Sequence, residues 1–461
     1  MLHSVTRNSC GPDGTRIGVD YGRVADITSE IITGIRHIKD HVDGSGFMKA
    51  STTYEWYSPA WFRDSAMVAI SLVDAAKYLS DHGHPSEADE AKSLAKSIIT
   101  FMWSAIGSSS DNMRRGIASS LDDNEFKKLK NHVPARVGGD GSYFSGVVKG
   151  SAHSDATERD KDSWLRQYDS VPLVLIATER FVDEFGAASL GDARGQASGL
   201  LTLSLEYMLK FYKTECSNAW ETENDKLHAY SVSSISRGVR AAKALAAKLG
   251  VGIPAALSSA YDSELNHQGI DRFLDRLFVR DGVLYRAKRV FSQNGGFESD
   301  PIMELDAAEI FVFTMFKPHL QDYDQVERRT VEAMETELFA GNVLPVRYLG
   351  DTYFDGGRWL LLGLEFASYH AGRGELPEAW RVIDYIRHKY LDGGGGSLPE
   401  QEIVNPESPG RDPERYLDKN GGAPISDLAW SEAFYIRAVI AYARASEAAA
   451  QEPRGNHLIR R

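Results

Sequence analysis

Acidic residues flank a tryptophan in Asn218-Ala219-Trp220-Glu221-Thr222-Glu223-Asn224-Asp225, just before the apolar-periodic run from Leu227 to Leu249. The stretch therefore reads as a loop feeding the N-terminus of a helix. A carboxyl held there against an aromatic face can stay protonated near neutral pH. Such a carboxyl is one half of an apparatus for cleaving glycosidic bonds, and the other half is a carboxylate that activates water. Gly395-Gly396-Ser397-Leu398-Pro399-Glu400-Gln401 offers the second group, again on a loop. Each has a plainer role open to it: Glu221 as a helix N-terminal carboxylate favoured by the dipole, Glu400 as a solvated loop acid. Glu223 and Glu402 compete for the two chemical roles.

The elements that must position these groups are nearly all helical. Ile27, Ile31, Ile32, Ile35 and Ile38 recur at helical spacing between Asp26 and His41. From Phe62 to Leu79 the apolar residues fall on almost every side, which predicts a helix buried all round. Helices are expected at 87–106, 169–185, 195–213, 227–249, 255–278, 303–316, 323–338, 358–371, 376–389 and 427–446. A short hairpin at 279–288 turns at Asp281-Gly282. Residues 107–161, rich in Gly, Ser and Asp, form a long excursion. Helix pairs that alternate between apolar all round and amphipathic suit a closed double ring, so the expected fold is all-α, an (α/α)6 barrel with its site on the long-loop rim. Residues 1–25 read as a tail or short strand pair, 26–450 as one catalytic domain and 451–461 as a tail.

Composition narrows the partners. The 461 residues carry a net charge of -13, and the one small basic cluster is Lys127-Lys128-Leu129-Lys130, which argues against nucleic acid or an anionic membrane. Two cysteines, Cys10 and Cys216, leave no room for a disulfide framework or a cysteine-rich zinc site. No apolar leader or membrane-length run is present, so a cytoplasmic location is expected. His84 and His153 show no metal-ligand spacing. The Asp122-Asp123-Asn124-Glu125 run has no second acidic partner to make it a metal motif of an all-helical cyclase. No cofactor or metal is expected.

Four clusters of aromatic, Arg and acidic residues fall in the rim loops: Tyr57 to Asp64, Trp164 to Asp169, Trp220-Glu221, and Val346 to Phe354 with Trp359. Rings that stack on sugar faces, with Arg and Asp to bind hydroxyls, are what a carbohydrate pocket needs. The Trp61-x-Arg63-Asp64 run, Trp164 with Gln167-x-Asp169, Trp220-Glu221, Arg347-Tyr348 with Asp351, and Glu400-Gln401 followed by Asp427-Leu428-x-Trp430-Ser431 together resemble the ordered motifs of the glucoamylase-like glycoside hydrolases of family 15. The resemblance runs from about residue 50 to the last helix.

It implies an inverting, exo-acting hydrolase that frees glucose from the non-reducing end of an α-glucoside, with Glu221 as general acid and Glu400 as general base. Arg63, Asp64 and Arg347 match positions that hold the terminal sugar; Trp61, Trp164, Trp220 and Trp430 match aromatic walls, and Tyr57 a ring beneath that sugar. Thr222 stands where the family often has a second Glu, and Asn218 where it has Asp. Both departures touch the part of the site beyond the cleaved bond, and so bear on α-1,4, α-1,6 or trehalose-type linkage. With no starch-binding module, short oligosaccharides or disaccharides are the expected substrates. A catalytically silent sugar-binding barrel is the alternative of a different class.

Overall fold

The structure is a computed structural model. It describes residues 8–10, 16–18, 24–53, 57–120, 132–141, 166–221, 226–263, 269–286, 289–291, 297–299, 304–351, 353, 356–392, 396–403 and 425–451. Thirteen α-helices appear among them: α1 Val24–His41, α2 Phe62–Asp81, α3 Pro85–Ser108, α4 Ser110–Ala118, α5 Ser170–Phe185, α6 Asp192–Phe211, α7 Ala229–Leu249, α8 Ala255–Ser263, α9 Ile270–Phe278, α10 Tyr323–Met334, α11 Leu360–Gly372, α12 Leu376–Ile386 and α13 Ala429–Gln451. Between α9 and α10 the chain makes a 3₁₀ turn, Ala307–Glu309, and a π-helical stretch, Val312–Phe316.

An inner ring closes on itself. Helix α2 packs on α5, α5 on α7, α7 on the 307–316 segment, that segment on α11, α11 on α13, and α13 back on α2. Outside it, α3 covers α2, α6 and α9 lie on α7, α12 lies on α11 and α1 on α13. This is the (α/α)6 double barrel. The N-terminal stretches of the inner helices have no solvent face: in α2 every residue from Phe62 to Val73 is buried, and in α11 Leu360 to Ala367 are. The outer helices keep a polar side, as α10 and α12 do.

Among the described residues, strand is confined to two- and three-residue antiparallel pairs. Ala60–Trp61 pairs with Arg136–Val137, and Arg358–Trp359 with Gln401–Glu402. Each pair is placed directly before an inner helix, so it fixes where α2 and α11 begin. The 279–284 hairpin turns at Asp281 and Gly282, both at positive φ, as its sequence requires. A further pair joins Asn8–Cys10 to Arg16–Gly18.

Three expectations are corrected. Residues 107–161 are not all loop, since α4 occupies Ser110–Ala118; it is a short amphipathic helix hidden in a Ser- and Asp-rich stretch. The single helix expected at 255–278 is two, with Gly269 capping the second. The helix expected at 303–316 begins only at Ala307, because Asp306 is extended and caps it by accepting the Ala308 N–H. Among the described residues no helix is long and apolar enough to cross a membrane.

Where α7 crosses α5, Gly238 meets Pro172 so closely that an added Cβ would stand 2.3 Å from the proline Cβ and 2.6 Å from its Cα. Gly238→Ala should therefore destabilise the fold by about 1–3 kcal/mol. Gly199→Ala on the outer α6, where nothing lies within 4 Å of the new Cβ, should be neutral or stabilising by up to about 1 kcal/mol. Urea denaturation of the two variants checks the contrast, and equal effects would contradict the close inner crossing.

Candidate active site

The groups at the N-terminal ends of the inner segments converge on one rim. Arg63, in the first turn of α2, is buried, and its guanidinium organises the centre. Nη1 donates to Gln167 Oε1 at 2.8 Å, Nη2 donates to Glu221 Oε1 at 2.8 Å, and the cation lies 3.6 Å from Asp64 and 3.9 Å from Asp169. Beneath it, 5.4 Å from the guanidinium carbon, is the Trp430 ring at the start of α13. Burial works against this positive charge, but Glu221, Asp64 and Asp169 more than offset it and keep the guanidinium protonated. The Asp64 carboxyl is pushed up to about 7 by burial, with Arg63 pulling the other way.

Glu221 sits on a bent backbone. Its φ is +61°, in the left-handed region that disfavours a side chain, and its N–H donates to Asn218 O at 3.1 Å. Asn218 Oδ1 accepts the Trp220 N–H at 2.9 Å. This is an acceptor role that an Asp could also fill, so the change from the resemblance leaves the turn intact. Strained residues of this kind cluster at functional sites. The Trp220 indole Nε1 donates to Asp306, at 2.8 Å and 3.1 Å to its two oxygens, and the Glu221 carboxyl meets Arg63.

On the facing side, Glu400 is buried and clamped by its backbone. Its N–H donates to Ile425 O at 2.9 Å, and its carbonyl accepts from Leu360 N at 3.4 Å. Its side chain accepts from Tyr57 Oη at 2.9 Å and Tyr353 Oη at 3.3 Å. Burial raises the Glu400 carboxyl to about 7; the two phenols and Arg347 oppose the rise, and Glu221 adds to it. Glu400 thus feels the charge of Glu221. Arg347 is buried, paired through two bonds with Asp351 at 2.7 and 2.6 Å, and ringed by Trp220, Tyr348, Tyr353 and Trp359.

Two neighbours support the walls. Trp61 is buried with the Arg136 guanidinium 5.1 Å over its ring. Asp427 accepts from the hydroxyls of Ser51, Thr52 and Thr53, the loop that leads to Tyr57; burial would raise its carboxyl, but these bonds win and lower it. Glu402, the competitor of Glu400, is already engaged by Tyr385 at 2.8 Å, Lys389 at 2.5 Å and Tyr390 at 2.7 Å. Trp164, Thr222, Glu223 and the 122–125 acidic run lie outside the described residues. Among the described residues no group of three or more His, Cys, Asp or Glu is placed to hold a metal.

Two residues of the site were not among the candidates. Asp306 anchors Trp220, and Tyr353 reaches Glu400. Asp306 carries no motif; its one signal is an Asp just ahead of an apolar run, the pattern of a helix cap. Tyr353 was one aromatic in a cluster of several.

No protein-family model matches the chain, and no curated protein matches it. Solved structures do. The chain is similar to a glycosidase variant in complex with glucose, with a TM-score of 0.69 and 18% identity over 92% of this chain and 99% of that one. It is also similar to the Hormoconis resinae glucoamylase, with a TM-score of 0.53 and 16% identity over 91% and 74% of the two chains. A bacterial glucoamylase complexed with acarbose gives a TM-score of 0.57 and 14% identity over 90% and 56%. Likeness at these identities carries the fold.

Burial raises the Asp306 carboxyl, and the Arg286 guanidinium beside it at 3.5 Å opposes the rise. Asp306→Ala removes the acceptor of the Trp220 indole and the carboxylate facing a buried arginine, and should cost about 3–5 kcal/mol of stability. Asp306→Asn keeps an acceptor oxygen and should cost less. Urea denaturation measures both; a loss below about 1 kcal/mol for the alanine variant would contradict the anchoring role.

Proposed function

We propose that the chain is a glycoside hydrolase that removes β-glucose, with inversion, from the non-reducing end of short α-glucosides. Residues 26–450 form its catalytic domain. The observation that carries the proposal is the pair of carboxyls on one rim, Glu221 on a strained turn beside Arg63 and Glu400 buried under two phenols, with the charge of Glu221 acting on Glu400. The names of the similar structures, glycosidases and glucoamylases, two of them holding glucose or acarbose, support the same class.

In the proposed reaction Glu221 gives its proton to the glycosidic oxygen as the bond to the anomeric carbon breaks. Glu400 takes a proton from the water that attacks the opposite face, and the product leaves with inverted configuration. Proton delivery requires Glu221 to leave its ion pair with Arg63 and to take up a proton from solvent first. A hydroxyl of the terminal sugar taking its place on the guanidinium would release it. Buried polar atoms without a hydrogen-bond partner among the described residues include Arg63 Nε, Asp64 Oδ1, Gln167 Nε2, Trp359 Nε1 and Trp430 Nε1, all on this rim. An unmet buried polar atom costs about 1–3 kcal/mol, and sugar hydroxyls would satisfy these. Tyr57, Trp61, Arg63, Asp64, Trp220, Arg347 and Trp430 form the proposed sugar site, with Trp164 and Thr222 added from the motif resemblance.

Maltose, isomaltose and trehalose assayed side by side identify the linkage, and release of glucose from none of them would overturn the proposal. Glu221→Gln and Glu400→Gln should each lower kcat by about 10²–10⁴-fold. On α-glucosyl fluoride, whose leaving group needs no proton, Glu221→Gln should recover and Glu400→Gln should not; the reverse pattern would exchange the two roles. Because the base works only when ionised, and burial holds Glu400 at about 7, kcat/KM should rise with pH through about 7 on its acid limb. An acid limb centred near the ordinary carboxylate range, about 4, would contradict that.

A further inference from the structure

We infer that Tyr353 is a positioning residue for the base, one whose hydroxyl satisfies Glu400 in both of its protonation states. The inference rests on Glu400 being that base. Tyr353 Oη lies 3.3 Å from Glu400 Oε2 and 2.9 Å from Tyr57 Oη, and Tyr57 Oη lies 2.9 Å from Glu400 Oε1. The four oxygens make a closed circuit.

A phenol has one proton to donate and can also accept. While Glu400 is ionised, Tyr57 donates to Oε1 and Tyr353 donates to Oε2. When water attacks, its O–H bond breaks as its oxygen bonds to the anomeric carbon, and the proton goes to Glu400. With that proton on Oε2 the circuit runs one way round: Oε2–H donates to Tyr353, Tyr353 donates to Tyr57, and Tyr57 still donates to Oε1. The change needs only rotation of the Tyr353 hydroxyl, with no heavy atom moved. The proton later returns to solvent and the first arrangement is restored.

Tyr353 is itself held for this. Asp351 Oδ1 accepts its N–H at 3.0 Å, and the Arg347 guanidinium lies 4.9 Å over its ring. The Arg347–Asp351 pair thereby fixes both the backbone and the ring of the residue that reaches the base. The charged or titratable groups facing Glu400 are Tyr57 from the 50–57 loop, Tyr353 and Arg347 from the 347–353 loop, and Glu221 across the site. Of these the phenols and Arg347 favour the ionised carboxylate, and Glu221 opposes it.

Tyr353→Phe keeps the ring and removes both bonds, but the one to ionised Glu400 is charge-assisted and about twice as strong as the neutral one to the protonated acid, so the ionised form loses more and the pKa rises. In the full chain the acid limb of kcat/KM should move up by about one pH unit. Below that limb the rate should fall about tenfold, with KM within about twofold of the parent. Tyr57→Phe, which removes the shorter bond, should move the limb further. A Tyr353→Phe limb that coincides with the parent's overturns the inference. Difference infrared titration of the Glu400 carboxyl in the ligand-free protein, with Glu400→Gln as the blank, decides the same point without turnover. A raised midpoint in Tyr353→Phe supports the inference, and an unmoved or lowered one overturns it. If the chain hydrolyses no glucoside, the functional proposal fails while this titration still decides whether Tyr353 stabilises the carboxylate.

Discussion

A helix packed on every side can keep a charge only at its ends or against a buried partner, as Glu365 in α11 does against Arg437 of α13 at 3.0 Å, and the layout of the site follows from that constraint. Helix α2 buries its apolar residues from Ala66 to Leu79, and its one Arg–Asp pair sits in the first turn. The same holds around the ring: Asp169 precedes α5, Asp306 caps the 307–316 segment, and Trp430 opens α13. Closing the ring therefore gathers these N-terminal groups at one rim. The helix N-termini that meet there add partial positive charge, a setting that suits the carboxylates placed among them. At the opposite rim, where the carbonyl ends gather, cations answer: Arg240 donates to Phe316 O, and Lys317, Arg373, Arg437 and Arg444 line a cavity of about 270 Å³ together with Asp74 and Glu327.

Within the rim, two arginines divide the work. Arg63 ties α2 to the loop before α5, to Glu221 and to the face of Trp430. Arg347 ties Asp351 and four aromatic rings into the wall beside Glu400. Removing charged groups from water is unfavourable unless they are paired, and here each arginine meets its carboxylate partner within hydrogen-bond reach. The carboxyls left with fewer partners, Asp64 and Glu400, are the ones burial lifts to about 7. The same burial that packs the barrel thus brings the Glu400 carboxyl into the range where it can exchange protons near neutrality.

Much of this was legible in the sequence because the signals were strong ones. All-round apolarity marked α2 as an inner helix, and Asp281-Gly282 marked its turn. The motif order brought Arg63, Glu221, Arg347 and Glu400 forward as one set. What could not be read was set by tertiary contact. The 3₁₀ and π geometry of 307–316 has no signature of its own in Ala307-Ala308-Glu309-Ile310-Phe311. The two-residue strand pairs at Trp61 and Trp359 are too short to show a period. The partner of the Trp220 indole lies 86 residues away, at Asp306, and local pattern carries no trace of such a pairing. Nor does adjacency in Trp220-Glu221 reveal that the two side chains find different polar partners, Asp306 for one and Arg63 for the other.

The account stands or falls on two carboxyls acting from opposite faces of one sugar. Proton NMR of the first product released from an α-linked glucosyl disaccharide, recorded before mutarotation mixes the anomers, observes this directly. The account predicts that β-glucose appears first and the α-anomer grows in only afterwards. Initial release of α-glucose would mean that the leaving group and the nucleophile used the same face, and would contradict it.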